Sequence, residues 1–210
     1  MINSSDEEIE ALKERYGLDK NKQTILYAPT FFPSSIEKMS KVFPQDFAQY
    51  NIIVKPHYLS WERKRYQAQR KYFDTWKTYP NCQVLGVEEY NLIPFILMAD
   101  IMISDESSAI FEFASLNKPV IINRFLTLRW SYYLNPKKIL KRMDKGMNNY
   151  KKIGANPSSY KEMIEATHDA LKDKSTFEVQ RLEMAKDICG LVDGQASMRI
   201  TKVIKDVCGF

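Results

Sequence analysis

Residues 103–114 read ISDESSAIFEFA, in which an apolar run ends at Ser104, an acidic turn of Asp105 and Glu106 follows, and Ser107 and Ser108 open a stretch carrying Ile110, Phe111 and Phe113. That spacing of apolar residues predicts an amphipathic helix beginning at the two serines. Free backbone N–H groups at a helix start, together with two hydroxyl donors, can hold a phosphate or pyrophosphate. Ser107 or Asp105 would cap a helix equally well, so this segment alone leaves both roles open. A second candidate lies in IIVKPHYLSW, where His57 directly follows an apolar run and stands beside Lys55. An imidazole there can act as general base toward a hydroxyl or donate to a phosphate oxygen. A loop histidine with a structural role fits the local sequence too. The other histidine, His168, falls in EMIEATHDALK, where the pattern makes it an unremarkable surface-helix residue.

Other chemistries lack their residues. There is no GxxxxGK(S/T) loop, no GxGxxG turn and no GxSxG elbow, which disfavours Walker-type hydrolysis, dinucleotide chemistry and serine hydrolysis. With two histidines, and Cys82, Cys189 and Cys208 outside any ligand spacing, neither a zinc site nor a disulfide framework is indicated, and no metal or cofactor is expected. The net charge of +5 concentrates in residues 55–77 and 136–152. Such stretches suit solvated helix faces or an anionic partner, a phosphorylated substrate or a membrane surface among them. No helix-turn-helix, zinc-finger or aromatic RNA-binding pattern accompanies them, so nucleic acid is not expected.

The elements that must carry these residues follow from the apolar pattern. Runs at 24–28, 52–55, 83–85, 101–104 and 119–122 predict five buried strands, separated by segments long enough for helices at 6–16, 61–75, 89–98 and 107–116. Nearly continuous apolar strands alternating with helices predict a doubly wound α/β fold, a parallel sheet covered on both faces. Residues 124–156 read as an irregular excursion, and three further helices near 158–172, 176–188 and 195–207 are expected to close one side. The 210 residues, 44% apolar and without a flexible linker, suit a single domain. The polar N-terminus and the lack of a long apolar run point to a cytoplasmic chain without a membrane span. In such sheets ligands bind beyond the carboxyl ends of the strands, where Thr30, His57, Asp105, Ser107 and Ser108 all fall.

Four segments taken in order, GLDKNKQTILYAPTF, IIVKPHYL, LMADIMISDESSAIFEFASLNKPVI and DICGLVDGQASMRITKVI, resemble the CDP-glycerol:poly(glycerophosphate) glycerophosphotransferases and their ribitol-phosphate and capsule relatives. The resemblance covers about residues 6–207 and implies a Rossmann-like C-terminal lobe of a GT-B fold that binds a cytidine diphosphate donor. An acceptor hydroxyl, on a polyol-phosphate chain or a lipid-linked primer, would attack the donor's β-phosphorus and release CMP. Carried over by motif, His57 assists transfer or holds phosphates, Thr30, Asp105, Ser107 and Ser108 line the donor pocket, and Asp193, Gly194 and Ser197 match the terminal motif. Lys55 and Arg129 are placed to balance charge by position alone. Glu106 stands where the family has an aromatic, which adds negative charge beside the phosphates. The family's N-terminal lobe, with its acceptor and membrane contacts and a further histidine, has no counterpart in the sequence. The expectation is therefore a fragment, a separately encoded half or a remnant, with peripheral contact at the inner face of the plasma membrane. Alternatives are a GT-B protein or epimerase-like enzyme using a UDP-sugar, and a non-catalytic binding module.

Overall fold

The computed structural model describes residues 5–129, 132 and 151–209. Five strands, β1 (Thr24–Ala28), β2 (Asn51–Val54), β3 (Cys82–Val84), β4 (Ile101–Ser104) and β5 (Val120–Ile122), form one parallel sheet in the order β3-β2-β1-β4-β5. The expected doubly wound architecture is present. Side chains alternate across the sheet, so Leu26, Ile53 and Met102 feed one core while Ile25, Tyr27, Ile52 and Ile103 feed the other. Helices α1 (Asp6–Arg15), α5 (Ile93–Met98) and α6 (Ala109–Ala114) cover the first face. Helices α2 (Phe43–Asp46), α4 (Gln67–Trp76) and α7 (Tyr160–Lys172) cover the second.

Helix boundaries depart from the sequence expectation where local chemistry intervenes. The single helix expected over 61–75 is split into α3 (Tyr58–Glu62), a 3-10 turn at Lys64–Tyr66 and α4, because Arg63 takes an extended conformation between them. The helix expected from residue 89 starts only at Ile93, with Pro94 in its first turn. Proline is favoured in the first turn of a helix and disfavoured in its interior, so Pro94 sits at the start of α5 and residues 89–92 remain a loop. The crossover from β1 to β2, for which the sequence suggested no helix, uses a 3-10 turn at Ile36–Lys38 and α2.

At the sheet edge, the end of the irregular excursion runs beside β5: the Ile122 N–H donates to Ala155 O at 2.9 Å and the Arg124 N–H to Pro157 O at 2.8 Å. Gly154 permits this approach, since a β-carbon there would overlap the Val120 carbonyl. Gly154→Ala is expected to lower the unfolding free energy by about 1–3 kcal/mol in urea titration, because the obstacle is backbone that cannot rotate aside. The remainder of the excursion, including most of the basic stretch 136–152, lies outside the described residues.

The three terminal helices do not all close the domain. Helix α7 packs on β4 and β5, and α8 (Glu178–Met184), continued by a π-turn at Ala185–Cys189, packs on α6. Helix α9 (Ala196–Cys208) has no buried residue, and Ile200, Val203 and Val207 are exposed along its length. Its apolar stripe at helical spacing signals a buried face, yet among the described residues nothing covers it. Among the described residues no helix is long and apolar enough to cross a membrane.

Candidate functional site

The strand order reverses between β1 and β4, each connection leaving toward a different side of the sheet, and this opens a crevice above the carboxyl ends of the strands. A cleft of about 190 Å³ lies there, lined by Thr30 after β1, Lys55 and His57 after β2, Tyr90 on the β3–α5 loop, and Ser107 and Ser108 ahead of α6. Residues far apart in sequence are thus brought together because each terminates a parallel strand or starts the helix that follows it.

His57 is fixed by its own helix. As N-cap of α3, its Nδ1 accepts a hydrogen bond from the Leu59 N–H at 3.2 Å, and the ring lies between Phe31 and Tyr58 with centroids 4.7 and 4.6 Å away. Accepting that bond puts the proton of the neutral ring on Nε2. Partial burial and then the neighbouring Lys55 ammonium pull its pKa below the usual histidine value, so the ring is neutral at pH 7 and offers one N–H donor. The Lys55 ammonium is itself lowered by burial, an effect that Glu89 and Glu88 partly offset.

The acidic turn before α6 is arranged quite differently from its appearance in sequence. Asp105 is fully buried and turned away from the cleft toward the loop after β1. Its Oδ2 accepts from the Thr30 N–H at 3.0 Å and the Ser34 hydroxyl at 3.2 Å, while the Ser35 N–H reaches both carboxylate oxygens at 3.2 and 3.3 Å. Burial nevertheless raises its pKa to about 6, against the lowering effect of those bonds. The Thr30 hydroxyl is also directed inward, to Pro33 O and Asp105, so Thr30 lines the cleft as part of a braced loop. Glu106 forms an ion pair with Arg124, whose guanidinium also donates to Asn156 Oδ1 at 3.0 and 2.6 Å. Both acidic charges are therefore removed from the serines, one by direction and one by pairing.

Capping of this helix by Ser107 or Asp105 is absent, since both side chains bond elsewhere. Ser108 is the N-cap residue of α6, yet its side chain makes no capping hydrogen bond, and the Ser107 hydroxyl pairs with Ser104 Oγ at 3.1 Å. Ser108 is exposed at the cleft and its hydroxyl is available to a ligand.

The other sequence candidates lie apart from these lining residues. The Arg129 guanidinium stacks over Phe32 at 4.1 Å and donates to the Tyr66 hydroxyl at 2.6 Å, in an aromatic group behind Phe31. Asp193 accepts from the Gln195 N–H at 2.9 Å and pairs with Arg199 at 2.7 Å, Gly194 takes a left-handed φ of 75°, and Ser197 lies in the exposed first turn of α9. Sequence reasoning passed over Arg124, Tyr90 and Leu92, although all three follow strand ends on the ligand-binding edge, which was the signal available. His168 stacks on Phe47 and Tyr50 at 5.3 and 5.8 Å, a packing role. Among the described residues no group of three or more histidine, cysteine or acidic side chains is placed to hold a metal ion.

Residues 1–206 match the family described as CDP-glycerol:poly(glycerophosphate) glycerophosphotransferase. A teichoic acid glycerol-phosphate primase from Bacillus spizizenii is 34% identical over 116 residues, covering 52% of this chain and 27% of its own length. The wall teichoic acid polymerase TagF superposes with a TM-score of 0.63 at 20% identity, over 94% of this chain and 46% of TagF. The C-terminal CMP-Kdo binding domain of WaaA from Acinetobacter baumannii superposes with a TM-score of 0.51 at 13% identity, over 89% of this chain and 98% of that domain. The chain thus spans less than a third of the curated relative and under half of TagF.

Proposed function

Because this chain belongs to the CDP-glycerol:poly(glycerophosphate) glycerophosphotransferase family, we propose that its cleft holds the diphosphate of a CDP-polyol and serves transfer of glycerol phosphate or ribitol phosphate. The observation that carries this reading is the convergence of Lys55, His57, Ser107 and Ser108 on one cleft at the strand-order reversal. The free Ser108 hydroxyl, an ammonium and a neutral imidazole N–H form a donor-rich surface matched to phosphate oxygens, and the Ser107 hydroxyl, which donates to Ser104 Oγ while Ser104 donates to Ala28 O, joins them by exchanging that bond for one to the ligand. TagF, the likeness noted above, has also been solved as a variant soaked with CDPG.

In the proposed reaction an acceptor hydroxyl attacks the donor's β-phosphorus. A new P–O bond forms, the bridging bond to the α-phosphate breaks, and CMP leaves. Ser107, Ser108 and Lys55 hold the diphosphate, while His57 Nε2–H donates to the oxygens that gain charge as the bond breaks. With Nδ1 occupied by the Leu59 amide, His57 is suited to donate and poorly suited to remove the acceptor's proton. The base for that proton belongs to the acceptor side. Asp105 acts from behind by bracing the Thr30 loop, and Arg129 supports the aromatic wall beside His57. The terminal-motif residues Asp193, Gly194 and Ser197 would join the site only if the region before α9 moved toward the cleft.

In this reading residues 1–210 form one donor-binding domain, and the acceptor is a polyol-phosphate chain or a lipid-linked primer. The exposed basic residues Arg63, Lys64 and Arg65 support peripheral contact with an anionic membrane face. Calorimetric titration with CDP-glycerol, cytidine and UDP-N-acetylglucosamine tests the assignment. Changing Ser107 and Ser108 together to alanine is expected to weaken CDP-glycerol by about ten- to a hundredfold, the scale of lost hydrogen bonds to a charged group, and to leave cytidine unchanged. Equal losses for both ligands would return the serines to a structural role, and preferential binding of the UDP-sugar would move the chain to another donor class.

A further inference from the structure

The amino ends of β4 and β5 form the pole of the sheet opposite the cleft. A cavity of about 250 Å³ lies there, lined by Lys13 of α1, Asp100 ahead of β4, Lys118 ahead of β5 and Lys174 on the α7–α8 loop. Its single carboxylate is already engaged: Asp100 Oδ2 accepts from the Thr24 N–H at 2.9 Å and Oδ1 from Lys174 Nζ at 2.7 Å. Lys118 donates to Ile96 O, Leu97 O and Ala99 O at 3.0, 2.8 and 2.9 Å, which closes the end of α5 and leaves its full charge in place. Lys13 makes one long bond, to Lys22 O at 3.4 Å. Behind the wall Arg181, 1% exposed, bonds to Asn117 Oδ1 and to the Thr176 and Lys174 carbonyls, while Glu178 accepts from Asn117 Nδ2 at 2.6 Å. Cations therefore outnumber carboxylates at this pole. Burial pulls the Lys118 pKa down to about 8, and Lys174 and Lys13 add to that effect against Asp100, so the three ammoniums act on one another across the cavity.

A concave site with unbalanced positive charge raises the local concentration of anions and is relieved by binding one. Lysine ammoniums are point charges with rotatable donors, suited to a multiply charged tetrahedral group, whereas a planar carboxylate is matched by the arginine fork. We infer that this cavity is a second anion site, separate from the donor cleft, which takes a phosphate group between Lys13 and Lys174 in the field of Lys118. Each ammonium has three N–H donors, so Lys174 keeps two beyond its bond to Asp100 and Lys13 two beyond its bond to Lys22 O. The same chemistry accepts inorganic phosphate or the phosphate of a polyol phosphate, and the inference does not depend on the nucleotide reading of the cleft.

The test is calorimetric titration of the full chain with inorganic phosphate and with glycerol phosphate at constant ionic strength in chloride. Changing Lys13 and Lys174 together to glutamine is expected to weaken both anions by about tenfold or more, the scale of lost hydrogen bonds to a charged group, while the Ser107→Ala, Ser108→Ala double variant stays within about twofold of the parent. Lys174→Gln should cost more than Lys13→Gln, because it also uncovers the Asp100 charge beside the ligand. Both lysines reach solvent, so thermal midpoints in chloride should stay near the parent; if Lys174→Gln lowers its midpoint, Lys13→Gln, which breaks no ion pair, carries the test. Tighter binding of glycerol phosphate than of inorganic phosphate assigns the site to a polyol phosphate, and equal binding assigns it to the phosphate group alone. Binding that survives in the double lysine variant overturns the inference. A loss confined to the serine variant would place the anion in the donor cleft, and a parent that binds neither anion has no second site.

Discussion

His57→Ala is expected to lower glycerol phosphate transfer by about two to four orders of magnitude, with a much smaller loss of CDP-glycerol affinity. The effect falls on turnover because a donor aimed at oxygens that gain charge during bond breaking matters most in the transition state. The form of the pH profile separates donation from base catalysis. The imidazole offers Nε2–H both neutral and protonated, so His57 should impose no fall in kcat/KM on the acid side. A general base would impose one at the lowered pKa that burial and Lys55 give this ring. His57→Gln, which can return an N–H to the same region, should recover part of the lost rate. Rates of label transfer from CDP-glycerol to a polyol-phosphate acceptor, followed from pH 5 to 8 in the assembly that turns over, provide the measurement. An acid limb that disappears in His57→Gln would sink the donor role and reinstate the base.

The second large effect is on stability and reverses the usual pH dependence of a carboxylate. Asp105→Ala removes the acceptor for two backbone N–H groups and the Ser34 hydroxyl in the buried loop after β1. Leaving those donors unpaired costs about 3–5 kcal/mol relative to the protonated acid. The wild-type carboxyl has its pKa raised from 3.8 to about 6, so between these values the native state binds more protons than the unfolded chain. Its favourable contribution is complete below the unfolded value and is lost as pH rises through about 6, a change of roughly 3 kcal/mol. The gap in unfolding free energy between wild type and Asp105→Ala should therefore be widest near pH 4 and narrow toward pH 8. Asp105→Asn keeps an acceptor without a charge and should be the more stable variant at neutral pH. Urea titrations at several pH values test this, and a gap that widens with rising pH would contradict the buried-acid account.

The sheet was legible because its strands are short, apolar and β-branched, and parallel pairing buries both faces of each. Helix limits were less so. Pro94 delays α5, and Arg63 divides a stretch that periodicity alone makes continuous. Within the site, His57, Lys55 and the two serines could be found because position relative to a strand end is a one-dimensional property. The direction of Asp105 could not, since its partners lie 70 to 75 residues away in the loop after β1. Pairing of Glu106 with Arg124 is equally a tertiary fact, and it removes the objection that the acidic turn raised in sequence. The terminal motif shows the converse: Asp193, Gly194 and Ser197 are recognisable as a pattern, but their contacts are local and the helix they introduce lies exposed.

Strand β1 occupies the centre of the sheet, with Ile25 in register with Ile52 on one side and Ile101 on the other. During synthesis the first pairing can form early, but the second must wait for β4, and the loop bearing Thr30 has no brace until Asp105 has also been made. Closing so long an intervening segment is an entropic barrier that local helix formation does not relieve. A nascent chain lacking β4 exposes the apolar flank of its central strand and possesses only half of its cleft. Completion of the fold and assembly of the cleft are thus one late event, timed by emergence from the ribosome of the segment that carries Ser107 and Ser108.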